Sequence, residues 1–536
     1  MPENFRSRFI ATIRAAAIRA RNRPVSLGLY RAVYRGALGL FSVAFRLNFK
    51  GRGALYLRRG MAGREWLPGI SDIDLLAAVD DDGAEAVLKL WRLYLGFKRI
   101  FPFFGELQIA EPRELDGYTH AGGWRAHEMP GWKIASGRPA KIKESAAAKS
   151  GLGLFHLQES LAAYLSLAQT YFGAAEKKEP PEFGFKASKF FIDVFRHGQA
   201  AMERAQNIPT RREYLAVIGS HVSAKTARTL ERPEKIGRNE AFELLLAAMI
   251  FADETCVRHF SDSIGRRLPL QSPNAGEWYD LVGSPDPNFA LWSRRARTLA
   301  ALDIPGGCGL FMDNLFRWFI VLDRPPSQQK FKILAARMDR WHLRENAFSA
   351  PGWAFTYNIL QGLLYSPFLD SPFLAHGLGP PGTPGRIWLL KHSRRHPIWN
   401  QYYRLQWNVD ARRLFAPDHA EMTTLARQTA AALNLSTRAL ALDPETGHNA
   451  YRIFFLLSRV LGPRLYLAEG SPLDAQDADA LLERYRVRFP GSEPWIKRLE
   501  SEWLSRPEAE VNAEPPEAFF RAYWPFLQKE ARSEAS

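Results

Sequence analysis

Two short apolar runs, Ala54-Leu55-Tyr56-Leu57 and Ile70 to Val79, flank a turn at Gly60, and no other stretch constrains the chain as much. Runs of this length, rich in residues that favour extended backbone, predict two strands, with a short helical start after the glycine. Residues two apart on a strand share a face. Asp72 and Asp74 therefore project together while Ile73 and Leu75 point into a core. Two carboxylates on one face can hold Mg²⁺, a hard ion that shares its oxygen ligands with substrate phosphates. Backbone N–H groups at Gly60 can face a phosphate. An acid-x-acid pair alone carries little weight, since 56 acidic residues in 536 produce several by chance. Its setting adds the weight: Gly60 precedes Asp72 by twelve positions, Ser71 comes just before the pair, and apolar residues lie on both sides.

Over residues 54–79 this pattern resembles the nucleotidyltransferase fold of the DNA polymerase β superfamily, whose signature is a Gly-Ser turn followed at this distance by Asp-x-Asp. The resemblance fades beyond about residue 140. It implies that Asp72 and Asp74 bind two Mg²⁺ ions and that a third carboxylate on a neighbouring strand completes the site. Glu106, within Phe103-Phe104-Gly105-Glu106-Leu107-Gln108-Ile109, fits that role; Glu111 is the reserve, although Pro112 after it suggests a strand already ended. The chain departs from the family at Met61, which stands where the family has a phosphate-binding serine; a thioether donates no hydrogen bond. The amides of Gly60 and Met61 remain for the triphosphate, with Ser71 nearby and Arg58, Arg59 or Arg64 supplying charge.

The chain is basic, with net charge +16 and pI near 9.8, which favours an anionic partner without choosing among nucleotide, RNA and an acidic membrane surface. Cys256 and Cys308 stand far apart and without histidines at metal spacing, so neither a disulfide framework nor a zinc site is expected and a cytoplasmic setting is the default. No apolar run reaches the eighteen or so residues that span a bilayer, so no transmembrane segment is expected.

Residues 1–50 predict two basic helices parted near Arg23-Pro24; up to residue 64 there are fourteen Lys or Arg against one acid, Glu3. The first, residues 5–21, reads as a solvated basic face, as a helix for acidic lipid or RNA, or, in a eukaryote, as an organelle presequence. The second, near Leu27 to Phe45, carries Leu29, Tyr30, Val33 and Tyr34 at helical spacing and is expected to pack on the sheet. Asp80-Asp81-Asp82-Gly83 reads as a turn in which Asp81 or Asp82 caps a helix from Ala84. His120 and His127 read as loop histidines.

From about Leu152 helical periodicity takes over, through Leu154 to Phe172, Phe185 to Ala205, Arg211 to His221, Asn239 to Ser263 and Asn288 to Leu302. Lys186 and Lys189 share a helical face and can serve either as phosphate ligands or as a wet surface, with Lys189 and Asp193 as an i,i+4 pair. Residues 308–365 read as helical, with Phe311, Leu315, Trp318 and Phe319 as core. The Gly- and Pro-rich loop at 377–385 reads as a linker. Lys391 to His396, followed by Trp399, Tyr402, Tyr403, Arg404 and Trp407, mixes basic and aromatic residues as RNA-binding surfaces do, and as a packed aromatic helix also would. The end of the chain reads as helix up to Leu527 with a polar, frayed tail.

The expected fold class is α+β, a small mixed-sheet nucleotidyltransferase domain followed by a large all-helical region. The expected divisions are basic helices over 1–50, the nucleotidyltransferase domain over 51–145, a helical acceptor-binding domain over 150–305 and a helical C-terminal domain over 306–536. The resemblance implies Mg²⁺-dependent transfer of a nucleoside monophosphate from a nucleoside triphosphate to a hydroxyl-bearing acceptor, which can be a small molecule, a protein or an RNA end. A catalytically degenerate nucleotide sensor or scaffold, and an RNA-binding protein, are the alternatives.

Overall fold

The computed structural model describes residues 24–49, 52–62, 71–80, 83–112, 131–140, 152–173, 179–203, 211–215, 222–260, 307–312, 318–322, 324–345, 353–356, 358–359, 461–469, 478–506 and 508–533, with Thr12, Ala16, Ile18, Leu115, Ile218 and Asn449. The fold is α+β: a four-stranded mixed sheet with helices, then a mostly helical remainder. The chain divides into two compact units, one from 1–149, 427–452 and 509–536, the other from 150–426 and 453–508.

The first unit opens with α1 (Pro24–Phe49), followed by β1 (Gly53–Arg58), the helical turn α2 (Arg59–Ala62), β2 (Ile73–Val79), α3 (Ala84–Ile100), β3 (Phe104–Ala110) and β4 (Lys133–Gly137). The sheet order is β3-β2-β1-β4. β1 pairs antiparallel with β2, from Gly53 opposite Val79 to Arg58 opposite Asp74, and antiparallel with β4 on its other edge. β2 and β3 are parallel, which requires a crossover, and α3 supplies it. α3 starts at Gly83, whose carbonyl accepts from Val87 N at 3.1 Å; no side chain caps it, and Asp81 and Asp82 lie outside the described residues. Lys98 and Arg99 complement the dipole at its far end.

Ala54, Tyr56, Leu76, Ala78, Ala110 and Leu115 form one buried cluster, with Trp132 packed against it. Alternation sends Leu55, Leu57, Ile73 and Leu75 to the opposite face, and all four are buried. An aromatic group joins the helices to the sheet: Phe104 meets Phe41 of α1 and Tyr94 and Phe97 of α3, and Phe103 stacks on Tyr34 at 3.9 Å. The buried face of α1 is Tyr34, Ala37, Phe41 and Phe45, whereas Leu29 and Val33, expected there from spacing, point to solvent. The C-terminal helix Pro516–Ser533 returns to this unit: Arg521 Nε donates to Glu85 of α3 at 2.6 Å, and Glu517 pairs with Arg92 at 3.6 Å. It continues through Gln528 to Ser533, where a frayed tail was expected, and Phe519, Phe520, Tyr523 and Trp524 are buried along its earlier turns.

In the second unit, α4 (Leu152–Gly173), α5 (Phe183–Glu203) and α6 (Arg238–Phe260) pack together, with Phe195 stacked on Phe251 at 4.1 Å. α5 lies close to α6 and α4 because Gly198 of α5 has no side chain; a Cβ there would stand 2.5 Å from Phe251 of α6 and 3.2 Å from Ser160 Oγ of α4. Residues 308–365 differ from the helical expectation. They contain β5 (Gly307–Met312), β6 (Trp318–Leu322), helix α7 (Gln328–Glu345) and β7 (Trp353–Thr356), in a sheet ordered β5-β6-β7. Phe311, Trp318 and Phe319 thus belong to strands, and Leu315 lies outside the described residues. Short apolar runs look alike in helix and strand, and partners decide between them. Here β7 is tied to the helices: Tyr164 donates to Ala354 O, and Asp253 accepts from Thr356 Oγ1 and from Asn358 Nδ2 at 3.0 Å.

Candidate active site

β1 ends at Arg58 and the chain turns at once into α2, which carries Gly60 and Met61. A Cβ on Gly60 would lie 3.4 Å from Ser71 Oγ, so the glycine turn rests directly against the residue that introduces Asp72. Ile73 is fully buried, while Asp72 and Asp74 on either side of it are partly exposed. The period-two reading of this segment puts both carboxylates at the polar end of the sheet, beside the glycine turn.

β3 bulges where it passes them. Ile73 faces Phe104 and Leu75 faces Leu107, so Gly105 and Glu106 together stand opposite Asp74. Gly105 is required there by close approach rather than by dihedral angle: a Cβ would sit 2.5 Å from Asp74 Oδ1 and 2.7 Å from Asp72 Cβ. The bulge turns Glu106 N toward Asp74 Oδ1, to which it donates at 3.1 Å. The Tyr94 hydroxyl donates to Gly105 O and anchors the bulge to α3.

The Glu106 side chain is held in an ion pair. Arg58 Nη1 lies 3.3 Å from Glu106 Oε2, and Gln108 Nε2 donates to Oε1. Arg58 is wholly buried, with its guanidinium 5.8 Å from the centre of the Trp132 ring, while the Glu106 side chain is 39% exposed. Removing one member of such a pair leaves the other charge short of compensation, so Arg58 and Glu106 depend on each other. Arg58, considered above as a source of charge for phosphate, is turned inward to this carboxylate. Among the described residues no group of three or more His, Cys, Asp and Glu side chains is gathered to hold a metal ion. Asp72 and Asp74 fit a hard divalent cation as a pair of oxygen donors, whereas the Glu106 carboxylate is held by Arg58 and Gln108.

Glu111, the reserve carboxylate, follows the last residue of β3 and is buried. Arg59 is part of α2, but its side chain and all of Arg64 lie outside the described residues. The same holds for His120, His127, the 377–385 loop, the 391–407 basic and aromatic stretch and nearly all of residues 5–21. In the second unit, Lys186 and Lys189 are exposed on α5. Lys186 pairs with Glu182 at 3.7 Å, and Lys189 lies 5.7 Å from the centre of the Phe190 ring. Asp193 pairs with Arg196 at 3.3 Å, one helical turn on, rather than with Lys189.

Three residues of the site went unassigned in the sequence. Gly105 announced itself as an isolated glycine inside an apolar strand, a sign of a bulge or close approach. Gln108, two residues from Glu106 and on its face, could have been found by the same alternation that paired the aspartates. Tyr94 left no sequence signal beyond its helical spacing. No protein-family model, no curated protein and no solved structure matches the chain.

Proposed function

We propose that the chain is a Mg²⁺-dependent nucleotidyltransferase, similar to the DNA polymerase β superfamily, that moves a nucleoside monophosphate from a nucleoside triphosphate to a hydroxyl-bearing acceptor. The observation that supports the reading is the close approach of Gly60, in the helical turn after β1, to Ser71, the residue before the paired aspartates. Asp72 and Asp74 would hold the metal. When bound, it would screen the phosphate charge and acidify the acceptor hydroxyl. The amides of Gly60 and Met61 would cradle phosphate oxygens, a role that does not need the missing serine hydroxyl. Gly105 lets the β3 backbone approach both aspartates and keeps Asp74 oriented through Glu106 N. Glu106 would serve as the third carboxylate after exchanging Arg58 for the metal.

A nucleotide sensor without transfer is the second reading, and the hold of Arg58 and Gln108 on Glu106 favours it. One experiment separates the two. The full chain is incubated with Mg²⁺, each nucleoside triphosphate and a metabolite or RNA extract, with pyrophosphate release and nucleotide binding both measured. The transferase reading predicts release that Asp74→Asn lowers by at least about a hundredfold. Nucleotide binding without release supports the sensor. Absence of Mg²⁺-dependent nucleotide binding defeats both.

A further inference from the structure

α1 carries a second apolar face that is largely exposed. Val25, Leu29, Val33, Leu40, Val43 and Leu47 are between 43% and 87% exposed. Their spacing of three, four and seven residues lines them up along one side of the helix, over about 33 Å at 1.5 Å per residue. Gly36 fills the one gap in the row; a Cβ added at Gly28, Gly36 or Gly39 would meet nothing within 4 Å. The helix is held firmly from its opposite side, where Tyr34, Ala37, Phe41 and Phe45 are buried and Tyr34 stacks on Phe103. The row of leucines and valines is thus presented outward on a fixed support. Exposed apolar surface of this extent marks an interaction site.

The charge on α1 says what covers it. Its 26 residues include Arg31, Arg35 and Arg46 and no carboxylate, and all three arginines are exposed. Arg35 and Arg46 lie along one edge of the apolar row, roughly a third of a turn from its centre at 100° per residue. Two copies docking through this face would bring arginines together with no acid on either helix to pair them, an arrangement that disfavours association. A lipid surface with anionic headgroups satisfies both features: the apolar row enters the acyl boundary, and the arginines reach phosphates and carboxylates at its rim. Among the described residues no helix is long and apolar enough to cross a membrane, so α1 would lie in the interface rather than span it.

We propose that α1 is an interfacial docking surface for an anionic lipid bilayer. The inference is independent of the nucleotide reading. The test is co-sedimentation of the full chain with sucrose-loaded vesicles of phosphatidylcholine, with and without phosphatidylserine. The parent protein is expected to partition to the phosphatidylserine vesicles at least tenfold more strongly than to neutral ones. Leu29→Ser, Leu40→Ser and Leu47→Ser together should weaken that partition by at least about tenfold. Arg35→Gln with Arg46→Gln should weaken it by about thirtyfold and remove the preference for phosphatidylserine. All five positions are exposed, and matching far-ultraviolet circular dichroism with the parent secures the comparison. The proposal is overturned if the leucine variant sediments with vesicles as the parent does. It is equally overturned if the parent is a dimer in vesicle-free buffer and the leucine variant a monomer, for then a second copy covers the face.

Discussion

Replacing Gly105 with alanine tests the site through a single methyl group. The new Cβ would fall 2.5 Å from Asp74 Oδ1 and 2.7 Å from Asp72 Cβ. Asp74 can rotate, but only by giving up the bond its Oδ1 accepts from Glu106 N at 3.1 Å. Asp72 Cβ is attached directly to the backbone and has no rotamer to escape through, so the strand itself must move. Overpacking of this kind costs about 1–3 kcal/mol. The lost hydrogen bond adds about 1 kcal/mol, giving about 2–4 kcal/mol in all. The same substitution at Gly96 is the control. It sits in the exposed middle of α3 with nothing within 4 Å of a new Cβ, so alanine there gains about 1 kcal/mol of helix stability. Hydrogen exchange followed by mass spectrometry reads the two separately, because it reports local opening. In Gly105→Ala, amides of residues 104–110 should exchange about 30- to 700-fold faster, at one decade per 1.4 kcal/mol. In Gly96→Ala, those of residues 84–100 should slow by about fivefold. Unchanged exchange over 104–110 in Gly105→Ala would refute the close approach and, with it, the bulge that orients Asp74.

Other substitutions probe both units. Tyr164→Phe removes the hydroxyl that donates to the buried Ala354 carbonyl and should destabilise the second unit by about 1–3 kcal/mol in urea unfolding. Burial, with Glu203 adding to it and Arg196 opposing, pushes the Tyr214 hydroxyl up to about 12 from 10.0. A raised folded value favours the protonated native form, so this stability is complete below about pH 10 and disappears as pH rises through about 12. Tyr214→Phe should accordingly flatten the alkaline limb of the unfolding curve in that window. The Arg521 hydrogen bond holds the Glu85 carboxyl below its ordinary range. That contribution is present above the unfolded value and is lost as pH falls through the folded one. Arg521→Gln should return the Glu85 titration, followed by carboxyl NMR, to ordinary values.

Much of the central sheet could be read from local pattern. β1 and β2 were legible because their apolar runs are short, bounded and rich in strand-forming residues, and β3 because an apolar run surrounds Glu106. β4 was not legible. Lys133-Ile134-Ala135-Ser136-Gly137 is a half-exposed edge strand with little apolar content, and it exists because β1 offers it a partner. Its last glycine, at φ 82°, lies so close to Gly53 that a side chain would strike that residue's carbonyl. β5 to β7 were missed for a related reason: their apolar runs suit a helix equally well until neighbouring strands pair with them.

The amino-acid order by itself determined that Asp72 and Asp74 lie on either side of a buried Ile73 and are more exposed than it, since strand alternation is a property of the local backbone. It equally determined that α1 is a basic helix with apolar residues on several sides. Which of those sides became core was decided by the tertiary structure, where Phe103 and Phe104 meet Tyr34 and Phe41 and leave Leu29, Leu40 and Leu47 outside. The partner of Glu106 was settled at the same level. Arg58 lies 48 positions away along the chain, and only the order β3-β2-β1 and the bulge at Gly105 bring that guanidinium to the carboxylate. Periodicity is set over a few residues of backbone, whereas the choice of neighbours depends on how distant surfaces fit, and composition along the chain carries no measure of that fit.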